Sequence, residues 1–181
     1  MLMAMASRGF MPKSMEKSFK IKSGLWWLPI SAVVFYLDQL TKTMATESLK
    51  IYEAVHVNTF LNWTLMHNEG MAFSFLADQS GWQRWVIGFV AIIIVIWLLI
   101  WLSKTNFKAR FLNLGLVFVI GGALGNIYDR LSLGYVIDFI EAHYNEHYWP
   151  AFNVADTAIS LGAFFLILDL IFGKKDEDKS S

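Results

Sequence analysis

Hydrophobic and polar positions along this chain fall into four long apolar runs, at about 24–45, 84–103, 111–130 and 152–172, separated by polar connections. Each run approaches the roughly 20 residues that an α-helix needs to cross a bilayer. The second, VIGFVAIIIVIWLLIWL, is the cleanest. The first, LWWLPISAVVFYLDQLTKTMA, follows a basic segment, as a signal peptide would, but exceeds a typical apolar h-region and carries Asp38 and Lys42 near its far end. It reads as a retained helix. The third contains Gly121, Gly122, Ala123 and Gly125, small residues that permit close helix packing.

A different period governs 49–82. Val55, Val57, Leu61, Trp63 and Leu65 lie on one side of a period-two pattern interrupted at Thr59, which predicts one or two amphipathic strands. Gly70, Asp78 and Gly81 supply turn chemistry. The expected fold is therefore a mainly α membrane protein, one integral membrane domain over 1–181. It has four transmembrane helices, a small extracytoplasmic sheet within 46–83, an outer loop at 131–151 and an N-terminal cytoplasmic extension at 1–23.

Composition agrees with this reading: 56% of the residues are hydrophobic and 17% charged, against about 45–50% and about 25% in soluble domains. There is no cysteine, which excludes disulfides, thiolate metal sites and a cysteine nucleophile. A formal net charge of zero conceals an asymmetry. Of fifteen Lys and Arg, five precede the first run, three lie in 104–110 and three in the tail, all on one side of a four-span topology. The positive-inside rule then puts both termini in the cytoplasm and both long polar connections outside.

That topology gives the polar residues a depth. Asp38 and Lys42 sit near the outer end of helix one, with the i, i+4 spacing of a structural ion pair. Asn126, Asp129 and Arg130 share one face at the outer end of helix three. Asn153 and Asp156 share a face in the first turns of helix four. Asp138, in GYVIDFIE, lies in the outer loop among apolar neighbours. Each has a plainer explanation: Asp156 as a helix N-terminal acid, Arg130 as a snorkelling cation, Asp138 as an interfacial acid. Ionisable groups inside apolar spans nevertheless point to function, and here three helices and a loop converge on one membrane depth. Two such carboxylates a few ångström apart share one proton near neutral pH, which suits acid–base hydrolysis by an activated water. The residues alone leave four carboxylates as candidates: Asp38, Asp129, Asp138 and Asp156.

His56, His67, His143 and His147 invite a metal reading, His143 and His147 at helical i, i+4 spacing. HYNEH lacks the order of H-E-x-x-H, so no metal is expected. GGALGN follows no strand, which removes the dinucleotide reading. No cofactor and no nucleic-acid partner is expected.

With LDQLTK, HNEGMAFS, GGALGNIYDR, VIDF and FNVADTAIS appearing in this order over 24–172, the chain resembles the lipoprotein signal peptidase (signal peptidase II) family. The resemblance implies an intramembrane aspartic endopeptidase that cuts diacylglyceryl-modified prolipoproteins before the lipidated cysteine. It makes Asp138 and Asp156 the catalytic pair, and places Asn68, Asn126, Asp129, Arg130 and Asn153 in the substrate and inhibitor site. It further implies an extracytoplasmic β-cradle over 49–82, a bacterial inner-membrane location, contact with membrane lipids and inhibition by globomycin. A monomer is expected. A proton-coupled transporter or a non-catalytic assembly factor also accommodates intramembrane Asp, Asn and Arg. Clustering of these residues at one face, with none in the core of the second run, disfavours the transporter.

Overall fold

The computed structural model describes residues 23–70 and 83–173. Four long helices alternate with strands in the order α1 (Leu28–Ser48), β1 (Ala54–Asn58), β2 (Leu61–Asn68), α2 (Gln83–Lys104), α3 (Arg110–Ser132), β3 (Val136–Tyr144), β4 (His147–Tyr148) and α4 (Val154–Leu168). The expected turn residues Asp78 and Gly81, together with Ala72 and Phe73 of the HNEGMAFSF segment, lie outside the described residues.

The expected helix bounds shift by a few residues at each end, for local reasons. The first apolar run opens as a 3₁₀ turn, Gly24–Trp27, before Pro29 starts the α-helix in its first turn, where a missing N–H costs nothing. The last run begins at Val154, because Asn153 is extended and caps the helix, and it ends in a π-helical turn, Asp169–Gly173. Three of the helices are long and apolar enough to cross a membrane: Arg84–Lys104, Arg110–Ser132 and Val154–Gly173, with mean hydropathies of 2.9, 1.7 and 1.9. The polar residues of α1 dilute its apolar character, and Ser31, Asp38 and Lys42 are buried against the bundle while Val33, Tyr36, Leu37, Leu40 and Met44 face outward.

α3 is the central helix, packed against α1, α2 and α4. Its small residues explain how. A Cβ on Gly121 would lie 2.8 Å from the Ser31 carbonyl oxygen of α1. One on Gly122 would meet the Ala155 carbonyl of α4, and one on Gly125 would meet the Asp38 carboxylate. Backbones therefore approach without side chains between them. On the other side, Val95, Leu98 and Leu102 of α2 pack with Leu116, Val117, Ile120 and Ile127 of α3 to form the apolar core.

Both long polar connections carry strands, in one antiparallel sheet ordered β1-β2-β3-β4. The 131–151 connection, read as a loop from sequence, holds β3 and β4. Its residues 136–139 are all buried, and a strand covered on both faces shows no alternation. His143 and His147 lie on the two arms of the β3–β4 turn, His143 paired with Tyr148 and His147 with Tyr144. They are therefore strand residues and not a helical i, i+4 pair.

Candidate active site

The arrangement begins where α3 ends. The Asp129 carbonyl accepts from the backbone N–H of Leu133 at 2.7 Å and of Gly134 at 3.3 Å. Gly134 has φ +90°, a left-handed cap that glycine adopts without strain. The Asp129 carboxylate then accepts from the Ile137 N–H at 3.2 Å. One residue thus ends the helix and anchors the first turn of chain into β3, which places Asp138 beside the helix terminus.

β2 supplies the next partner. Met66 pairs with Asp138, so Asn68 at the strand end shares that face, and its Nδ2 donates to Asp138 Oδ2 at 2.9 Å. From the other side, Phe152 bridges Ile140, their N–H groups donating to one another's carbonyls at 2.9 Å in both directions. This puts Asn153 against β3, where its Nδ2 donates to Asp138 Oδ1 at 2.7 Å and also faces the Ile137 carbonyl at 3.2 Å.

Asn153 is simultaneously the N-cap of α4. Its Oδ1 accepts from the Asp156 N–H at 2.9 Å, while Asp156 Oδ2 accepts from the Asn153 N–H at 3.3 Å, a reciprocal capping box. The second Asp156 oxygen accepts from Asn126 Nδ2 at 2.8 Å. Asn126 Oδ1 in turn accepts from Asn153 Nδ2 at 3.2 Å. Asp138 and Asp156 are therefore joined through two carboxamides, Asn153 and Asn126.

Beneath this relay lies an ion cluster. Lys42 Nζ is 2.8 Å from Asp38 Oδ2 and 2.8 Å from Asp129 Oδ2, and donates to Asn126 Oδ1 at 3.1 Å. The expected Asp38–Lys42 pair is present, and Asp129 makes it a triad. Asp38 also accepts from the Ala155 N–H at 2.8 Å, which fastens α1 to the start of α4. Gln39 donates to Asp38 Oδ2 at 3.1 Å and to Asp129 Oδ1 at 2.9 Å. Arg130 donates to the Asn126 carbonyl at 3.1 Å, and its charge reaches Asp156, Asp138 and Asp129.

All nine residues singled out from the sequence thus lie in one contiguous network. Gln39 and the Ala155 and Ile137 amides were not among them. Gln39 is adjacent to Asp38 in LDQLTK, a polar neighbour that the i, i+4 argument passed over. The two backbone amides leave no mark in a sequence.

Asp138 is only 3% exposed. Burial raises its carboxyl from the ordinary 3.8 to about 6, the nearby Asp156 charge adds to the rise, and the Asn68 and Asn153 hydrogen bonds and the Lys42 charge oppose it. Beside Asp156 lies an open cavity of about 460 Å³, lined by Trp149, Pro150, Phe152, Asp156, Thr157 and Ser160. A half-buried carboxylate at a cavity wall, coupled to a buried one of raised pKa, can move protons to and from a bound molecule.

Residues 30–172 match the family model described as signal peptidase (SPase) II. The chain belongs to the signal peptidase II family. As a member it is a membrane-embedded peptidase of lipoprotein processing. It is 44% identical over 155 residues to a lipoprotein signal peptidase of Teredinibacter turnerae, covering 86% of this chain and 92% of that one. It is 48% identical over 151 residues to a lipoprotein signal peptidase of Pseudomonas aeruginosa, covering 82% and 89%. A solved structure described as a bacterial membrane enzyme, obtained by the in meso method at 1.9 Å, superposes with a TM-score of 0.72 at 30% identity, covering 81% of this chain and 93% of that chain.

Proposed function

We propose that this member of the family is an aspartic endopeptidase that removes the signal peptide from diacylglyceryl-modified prolipoproteins, cutting before the lipidated cysteine, with Asp138 and Asp156 as its catalytic pair. The observation that carries the reading is the linkage of these two carboxylates, from β3 and α4, through the Asn153 and Asn126 carboxamides.

In this reaction Asp156 is the ionised member. Its oxygens accept from Asn126 and from the Asn153 backbone in the first turn of α4, where the macrodipole favours an anion. Asp138, buried and of raised pKa, carries the shared proton. Asp156 takes a proton from water as the water oxygen bonds to the scissile carbonyl carbon, and Asp138 protonates the carbonyl oxygen. When the tetrahedral intermediate collapses, the C–N bond breaks, Asp156 returns its proton to the leaving nitrogen and Asp138 recovers its own as the carbonyl re-forms. Arg130, Asn68, Asn126, Asp129 and Asn153 shape the peptide site around the pair. No metal or other cofactor enters the scheme.

α1 is the fourth span, its apolar residues facing lipid and its charges facing α3 and α4. Both termini are cytoplasmic, and the pair lies on the periplasmic side of a bacterial inner membrane. The enzyme acts as a monomer, which the supply of every network residue from one chain supports. Globomycin-type inhibitors occupy the same site.

The test is cleavage of a fluorogenic diacylglyceryl lipopeptide, with products identified by mass spectrometry and globomycin as control. Asp138→Asn and Asp156→Asn are each expected to lower kcat by about 10²–10⁴-fold, the usual contribution of an acid or base, while the protein remains folded. Wild-type turnover in either folded variant would overturn the pair.

A further inference from the structure

Lys42 is more than half of an ion pair. An ammonium has three donors, and here each has an acceptor: Asp38 Oδ2 at 2.8 Å, Asp129 Oδ2 at 2.8 Å and Asn126 Oδ1 at 3.1 Å. The side chain is 2% exposed. Gln39 binds the two carboxylates through one nitrogen, at 3.1 Å and 2.9 Å, which ties together the two anions that hold the ammonium.

The third contact is the informative one. A carboxamide has two orientations of nearly equal shape, and the surroundings decide between them. With Asn126 Oδ1 toward Lys42 and Asn153 Nδ2, its Nδ2 faces Asp156 at 2.8 Å. Turned over, the amide would set its N–H donors against an ammonium and its oxygen against a carboxylate. A cation at this place therefore allows one orientation only. An ion pair serving packing alone would need no contact with the amide.

We propose that Lys42 is a positioning residue of the reaction, its ammonium fixing the Asn126 carboxamide and through it the Asp156 carboxylate. The inference rests on the assignment of Asp138 and Asp156 as the catalytic pair and adds the element that aligns them. The charges around Lys42 come from four elements: Asp38 on its own helix and Asp129 on α3 in direct contact, Asp138 on β3 within electrostatic reach, Asp156 on α4 one carboxamide away through Asn126, and Arg130 on α3 against the Asn126 carbonyl. The cluster of Asp38, Lys42 and Asp129 has one negative charge in excess. Removing Lys42 alone leaves two, and removing Lys42 with Asp38 leaves one.

This arithmetic separates orientation from charge. Lys42→Met strands two buried carboxylates, which threatens folding, so Asp38→Asn/Lys42→Met is the second variant. The Asn oxygen at position 38 retains an acceptor for the Ala155 N–H. Purified proteins would be compared on the lipopeptide across pH, with rates referred to the folded fraction. In both variants kcat is expected to fall about tenfold, as for one charge-assisted hydrogen bond lost, with KM changed less than about twofold. In Lys42→Met the alkaline limb of kcat/KM moves to higher pH, because a positive charge near Asp138 is gone. In the double variant, of unchanged net charge, the limb stays close to wild type while the loss in kcat remains.

Wild-type kcat in either folded variant would overturn the proposal, as would a double variant restored to full turnover. Wild-type cleavage and its loss in Asp138→Asn test the underlying pair separately, so each idea fails on its own result.

Discussion

Asn153 performs two tasks that a single substitution can separate. Its Oδ1 caps α4 through the Asp156 N–H at 2.9 Å, and its Nδ2 holds Asp138 Oδ1 at 2.7 Å. Serine caps a helix as well as asparagine does, whereas alanine costs about 0.5–2 kcal/mol at this position. Neither reaches across to Asp138. Asn153→Ala is therefore expected to lose both cap and bridge, and Asn153→Ser the bridge alone. A hydrogen bond to a charged group contributes about 1.5–3 kcal/mol, and about 1.4 kcal/mol is a factor of ten in rate. Both variants should then lose roughly 10- to 100-fold in kcat on the lipopeptide, and only Asn153→Ala should show a clear fall in Tm. The bridge also holds the Asp138 carboxyl down, so its loss lets that carboxyl rise beyond about 6 and moves the alkaline limb of the rate profile upward. Wild-type turnover by Asn153→Ser, with an unmoved limb, would refute the assignment of the bridge. Equal destabilisation of the two variants would refute the assignment of the cap.

Two further outcomes follow from packing and from burial. Gly122→Ala puts a Cβ against the Ala155 backbone carbonyl and 2.9 Å from Ile159 Cγ1, so α4 must shift and Asp156 with it. Overpacking of this kind costs about 1–3 kcal/mol, and a misplacement of about 1 Å costs about 10²-fold in rate. Gly88→Ala, which meets nothing within 4 Å, should change neither Tm nor kcat, and equal behaviour of the two would refute the close α3–α4 approach. For pH, Asp138 binds a proton in the folded state up to about 6 but only to 3.8 when unfolded. The folded state binds more protons between these values, so stability falls as pH rises through that window. Tm recorded from pH 4 to 7 should show this slope in wild type and lose it in Asp138→Asn. The singly protonated pair also depletes above about pH 6, so kcat/KM should decline there.

The helices were legible because crossing a bilayer demands a run length and an apolarity that few other structures need. Asp38 and Lys42 could be paired for the same local reason, since i, i+4 contact is a property of one helix. Asp129, the third member, could not be added, because it joins them only through the α1–α3 approach that Gly125 permits. β1 and β2 showed a recognisable alternation. β3 did not, since Val136, Ile137, Asp138 and Phe139 are all buried and their pattern is continuous. The convergence on one end of the bundle was readable from topology and charge. The contact of Asp138 with Asn153 was not, because it depends on a backbone bridge between Ile140 and Phe152, and the choice of Asp138 and Asp156 among four acids came from family resemblance.

The capping box that opens α4 has a consequence for the order of synthesis. Asn153 and Asp156 are the last residues of the network to leave the ribosome, after α1, the sheet and α3 have been made. They adopt their places only when α4 has formed its first turn, since the same hydrogen bonds that start the helix orient both groups. A nascent chain lacking that turn holds Asp138 without its partner. On the proposed mechanism, the enzyme is silent until α4 is in place.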